Sequence, residues 1–304
     1  MLYAKNKMLG HHAVMNEIIS GEWLMSFNGL LQLGHFIQNI STGKAEERSQ
    51  EDRTENLLSF YNEDYERIRP TDISDIPKGS VAVVHAIGPM MKYGSWWMLG
   101  ANEIIAQLDF VNNLANVSAI VIYIDGPGGA VSAISPFIDF ASRKRKPIVA
   151  LCDASMSLHR WIPDAIADYQ LADNDISARF GSIGVMSNWM DATKYYEDMG
   201  VVLHEVYADE SPHKNEIWRL IKEDEEKGKA LLRKEHLSPM AIKFQNAVKA
   251  AHPNILQEEG VLTGRTYGTD DAIRIGMING KGNMKDAMQA AKALAEAYQI
   301  SNNY

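Results

Sequence analysis

The sequence predicts an α/β protein built on a mostly parallel sheet, and three observations carry that prediction. Short runs rich in β-branched residues, "SVAVVHAIG", "SAIVIYID", "KPIVALCD" and "VVLHEVYA", are bounded by Gly, Pro, Asp or Lys, as buried strands are. Segments long enough to be helices, among them "ANEIIAQLDFVNNLAN" and "SAISPFIDFASRKR", separate them. A glycine-rich turn, "DGPGG", carries the second run into a helical pattern. Strand, helix, strand at this spacing calls for right-handed crossovers.

Before these runs, residues 1 to about 40 show apolar positions at helical spacing, as in "VMNEIISGEWLMSF", and then the chain turns polar in "STGKAEERSQEDRTE". This predicts a helical appendage with a charged connector over residues 1–75, and one domain over 76–304 with its core at about 80–280. After Ala208 the pattern is helical and charged, with Trp218, Leu220, Ile221, Leu231 and Leu232 interleaved to pack on the core or on another subunit. The glycine-punctuated "GVLTGRTYGTDDAIRIGMING" follows, then an Ala-rich terminal helix over 284–298.

Composition excludes several classes. The chain of 304 residues is 46% hydrophobic, enough for a substantial core. Its formal net charge of −9 gives no electrostatic reason to bind nucleic acid, and the basic run "RKRK" (143–146) reads as a solvated helix end. A single cysteine, Cys152, excludes an internal disulfide framework and reads as core packing. No stretch reaches the roughly 20 apolar residues of a membrane span, and no signal peptide is evident, so a soluble, unexported chain is expected. His11, His12, His85 and the pair His204 and Glu205 lack metal-ligand spacing, so no metal is expected.

Four segments carry the chemistry. At "IDGPGG", glycines where a strand becomes a helix let the backbone approach a ligand and leave N–H groups facing an anion. The segment is neither phosphate motif, because Val131 replaces the third glycine of a dinucleotide fingerprint and no Gly-Lys-Ser/Thr follows. "DASMSLHRW" ends the next strand, and strand ends share one edge of a parallel sheet, so Gly128 and a serine meet there. "GSIGVM" is another apolar stretch with a small polar residue, Ser182, inside it, and Lys214 follows "VVLHEVYA". A nucleophile, a base and two N–H donors are what acyl transfer needs.

In this order, "IDGPGG", "KPIVALCDASMSLHRWI", "GSIGVM", "YADESPHKN" and "LTGRTYGTDDAIRIGMING" resemble the successive signatures of the signal peptide peptidase A family of Ser-Lys peptidases, which includes phage capsid-maturation proteases. The resemblance covers roughly residues 80–280 and implies a Clp/crotonase-like fold of ββα units. It places the nucleophile at Ser157, with Ser155 as runner-up, and the general base at Lys214. Ser182 would hold the lysine amine, while the N–H groups of Gly128 and Leu158 would form the oxyanion hole. It implies a soluble serine endopeptidase working through an acyl-enzyme without a cofactor, acting on polypeptide in a bacterial cytoplasm or a phage prohead. Relatives form homo-oligomeric rings in which a neighbour's Lys214 would serve Ser157.

Two departures stand out. Relatives carry Gly or Ala after the nucleophile, whereas Leu158, His159 and Arg160 follow here, and Gly126 stands where relatives often have Ser. His159 is badly placed to act as the base, two residues from the serine on one turn. The departures motivate a second reading, an assembly protein that keeps the fold without efficient turnover. A third, a crotonase-type acyl-CoA enzyme, would share the oxyanion geometry and dispense with Lys214.

Overall fold

A computed structural model describes residues 22–25, 57–94, 99–189, 191 and 193–301. The strands β1 (Glu22–Met25), β2 (Leu58–Tyr61), β3 (Arg67–Ile68) and β4 (Ser80–Ile87) come first, followed by helix α1 (Ala101–Asn113). Next are β5 (Val117–Gly126), β6 (Gly128–Ala130), α2 (Ser135–Ala141), β7 (Ile148–Met156) and α3 (Leu158–Ile166). Then come β8 (Tyr169–Ala172), β9 (Arg179–Gly181), β10 (Met186–Ser187) and α4 (Thr193–Asp198). The helices α5 (Glu216–Glu223), α6 (Glu225–Leu232) and α7 (Ser238–Ala251) follow, and β11 (Thr266–Tyr267), α8 (Thr269–Ile275), β12 (Gly280–Lys281) and α9 (Met284–Ser301) close the chain.

The main sheet runs in the order β11-β9-β7-β5-β4-β2-β3. Its centre is parallel, and β2, β3 and β11 add antiparallel edges. β7 serves two neighbours in succession: Val149–Cys152 pair with β8, and Ala154–Met156 pair with β9. The sheet is covered on both faces, which is why its strands read as continuous apolar runs. Ile120, Ile122 and Ile124 of β5 enter one core with Leu108, Phe137, Ile162 and Phe244. Ala119 and Val121 enter a second, where Ala287, Met288 and Ala291 of α9 cover the opposite face. The expected α/β architecture with a mostly parallel sheet and C-terminal helices is the one observed.

Three local expectations are corrected. Most of the predicted N-terminal helical region lies outside the described residues, but its described part, Glu22–Met25, is a strand. It pairs with β6 and β10, and these long-range backbone bonds override local helical spacing. Residues 58–68 are likewise not connector: β2 pairs with β4, so the main sheet extends across the expected boundary at 75/76.

The third correction concerns "VVLHEVYA", residues 201–208, which forms no strand. It pairs with no strand among the described residues, and Val202, Leu203 and Val206 are exposed, the last at 95%. The "RKRK" run is also more than a solvated helix end. Arg143 pairs with Asp109 and Asp139, Lys144 with Asp168, and the Lys146 amine donates to the Leu114 carbonyl, tying α1 and α2 to the strand that follows.

Candidate active site

β5 and β7 deliver their C-terminal ends to one edge, as parallel pairing requires. The register slips between Ile124 and Gly126, so that Gly126 stands beside Ser155. One residue beyond β7, the chain turns into α3 at Ser157, whose backbone has φ 55° and ψ −118°. A non-glycine residue held at positive φ costs on the order of 1–3 kcal/mol and persists only where its surroundings fix it. Here the Ser157 N–H donates to the Gly181 carbonyl at 2.9 Å, and the Ser157 carbonyl accepts from the N–H groups of Arg160 and Trp161. A serine on a strained strand-to-helix turn is the arrangement that presents a nucleophilic oxygen.

Ser182 lies next to this anchor. It too has positive φ, 54°, and its N–H donates to the Arg265 carbonyl at 2.8 Å. Gly128, on the other side, has φ 117°, and any side chain there would collide with the Leu24 carbonyl. Leu158 opens α3, where the first N–H groups have no intrahelical acceptor. The structure therefore brings Ser157, Ser182, Gly128 and Leu158 to one edge.

Ser155, the alternative nucleophile, has a structural occupation. Pro163 lies inside α3 and lacks the N–H that would bond to the carbonyl four residues earlier, that of His159. The Ser155 hydroxyl supplies the missing donor, reaching the His159 carbonyl at 3.0 Å. Ser155 is fully buried.

The three bulky residues after Ser157 all turn inward. Leu158 joins the main core. Arg160 is buried with Asp164, Gln170 and His252: its guanidinium bonds Asp164 and Gln170, and His252 Nε2 lies 2.8 Å from Asp164 Oδ1. Burial raises the Asp164 pKa, but Arg160 and His252 outweigh it and hold the carboxylate below its usual range.

His159 is the residue whose importance spacing did not disclose. Its Nδ1 accepts the Gly128 N–H at 3.1 Å, so the proton of the neutral ring resides on Nε2. Nε2 has no partner among the described residues. The ring is fully buried, and burial pushes its pKa down to about 3. Gly126 makes room for it, since a Cβ at that position would strike the imidazole. The ring is thus seated on the donor assigned to the oxyanion hole.

No hydrogen bond joins Lys214 to Ser157 in the structure. Ser157 is 1% exposed, whereas Lys214 is exposed in the turn before α5, its N–H donating to the Ser211 carbonyl at 3.2 Å.

The model of peptidase family S49 matches residues 141–298, more than half of the chain, spanning Ser157, Ser182 and Lys214. The chain belongs to this family, the signal peptide peptidase A family of serine peptidases. No curated protein sequence matches it. Among solved structures, a probable enoyl-CoA hydratase/isomerase from Mycobacterium abscessus is 15% identical, with 73% of this chain and 72% of that one covered at a TM-score of 0.35. ThnE from S. clavuligerus is 13% identical, with 72% and 79% covered at a TM-score of 0.37. Among the described residues no helix is long and apolar enough to cross a membrane. Membership of S49 supports a serine peptidase acting on polypeptide.

Proposed function

We propose that the protein is a serine endopeptidase in which Ser157 attacks the scissile carbonyl and Lys214, supplied by a neighbouring copy, takes its proton. The observation that carries this reading is the strained Ser157 turn, anchored on Gly181 and bordered by Gly128 and Ser182. The Leu158 N–H would receive the oxyanion, joined by that of Gly128 only where His159 gives up its bond to it, and water would then release the acyl group. Lys214 lies in an exposed segment that begins with the exposed apolar residues Val201, Val202, Leu203 and Val206, which supports delivery to another subunit in a homo-oligomer. Cleavage of capsid or scaffold polypeptides, in a host cytoplasm or a prohead, is the role proposed from the family resemblance.

A fluorophosphonate probe tests the nucleophile: labelling of the wild type and none of Ser157→Ala is the expected result. Mixing Ser157→Ala with Lys214→Ala chains tests the shared site. Neither alone should turn over peptide, and the mixture should recover part of the wild-type rate if the dyad forms between chains. The seat of His159 on Gly128 favours a second reading, an assembly protein without turnover. Complete absence of labelling in every assembled form would establish it.

A further inference from the structure

The edge of the candidate site holds a strand from a distant part of the same chain. β1 runs antiparallel to β6, with Trp23 opposite Ala130, Leu24 opposite Gly129 and Met25 opposite Gly128. On its other side β1 runs antiparallel to β10, with Glu22 opposite Ser187 and Trp23 opposite Met186. These three strands form a separate small sheet in which β1 is the middle member. Without β1, β6 and β10 would form two edges with a strand-wide gap between them.

Both edges arise at Ser157. β6 begins at Gly128, whose N–H is held by His159 two residues after the serine. β10 follows the turn of Gly181 and Ser182, and Gly181 accepts the Ser157 N–H. A gap of this kind takes one extended polypeptide, because main-chain hydrogen bonds from both sides are indifferent to sequence while alternate side chains select it. The present occupant shows the selection: Trp23, Leu24 and Met25 are 2%, 0% and 3% exposed. Three bulky apolar side chains in succession are therefore accommodated.

We propose that the gap between Gly128–Ala130 and Met186–Ser187, where an extended polypeptide would lie, is held closed by Glu22–Met25 as a resident, self-inhibiting occupant. Its ligands are extended segments with consecutive bulky apolar residues, and they enter by displacing β1. The slot itself stands on the strand pairing; that cleavage follows entry rests on the peptidase reading above.

The test uses the full chain carrying Ser157→Ala, so that nothing is cleaved, and a fluorescein-labelled peptide copying residues 20–27 followed by anisotropy. Leu24→Asp places a carboxylate at a fully buried position and should expel β1. Met25→Ala weakens the strand more gently. Peptide affinity should rise about tenfold or more in the variant chains over the parent, and a peptide with aspartate in place of its leucine should not bind. Unchanged affinity in two folded variants overturns the proposal. So does loss of folding in both, since a displaceable occupant must leave a folded chain behind.

Fluorophosphonate labelling of Leu24→Asp with Ser157 intact separates the two readings. Peptide binding without labelling in any form retains the slot and removes the peptidase. Labelling at the wild-type rate without peptide binding does the reverse.

Discussion

The imidazole of His159 accepts the Gly128 N–H through Nδ1 at 3.1 Å, and this one bond couples the first turn of the serine-bearing helix to the glycine turn of the adjacent strand. An N–H already bonded to a ring nitrogen cannot also stabilise a developing oxyanion. Replacing His159 by Ala should therefore raise peptidase turnover, by up to the roughly 10²-fold that one oxyanion donor contributes. The variant should also lose about 2–4 kcal/mol of stability to the cavity left behind. Rates on a fluorogenic peptide and chemical denaturation measure the two effects separately, and a slower variant would place His159 in the machinery itself.

The same ring makes stability dependent on pH with a definite sign. Its folded pKa of about 3 lies below the unfolded value near 6.5, so the unfolded chain binds the proton more readily between them. Stability should fall as pH is lowered from about 6.5, by up to about 1.4 kcal/mol per pH unit. His85, also lowered by burial, acts in the same direction. Asp125 and Asp173, raised mainly by burial, oppose it at lower pH. Urea midpoints at pH 7 and pH 5 should differ less in His159→Gln than in the wild type.

Ser155 and Ser157 should separate cleanly on substitution. Ser155→Ala removes the donor that the His159 carbonyl needs above Pro163, costing about 1–3 kcal/mol while leaving the Ser157 hydroxyl available to a fluorophosphonate. Ser157→Ala should abolish labelling. If Ser155→Ala abolishes labelling in a folded chain while Ser157→Ala retains it, the assignment of the nucleophile is reversed.

The buried ion cluster beneath α3 should be intolerant of partial removal. Asp164→Ala strands the Arg160 guanidinium at a fully buried position and should cost about 3–5 kcal/mol. Thermal unfolding measures this directly. Replacement of Arg160 and Asp164 together by apolar residues should cost less than Asp164→Ala alone.

Cys152 offers a check on the core. Its thiol is fully buried, and burial pushes its pKa up to about 12. Iodoacetamide at neutral pH should modify it only in denaturant. Modification in buffer at the rate of the unfolded chain would contradict the packing of β7.

The central strands were legible because local pattern and burial coincide there. β4, β5 and β7 lie between two helical layers, so each is an apolar run that needs no partner to be recognised. The turns at Gly128 and Ser157 were legible because each sits at the end of such a run, with small residues marking where the backbone must leave it, whereas Ser182 read only as a small polar residue inside an apolar stretch. "VVLHEVYA" has the same composition as the buried strands yet forms none and lies exposed, because composition reports a preference for burial and not whether a strand partner is met.

By itself, then, the sequence determined the layered α/β core, the family and the positions at which the chain turns beside Ser157. Tertiary structure decided the use of those positions. Only folding brings Trp23–Met25 to Gly128–Ala130 across more than a hundred residues, seats His159 on the Gly128 N–H and leaves Lys214 exposed. The physical reason is that periodicity encodes which face of an element seeks burial, whereas a backbone hydrogen bond between distant segments leaves no trace in the spacing of side chains.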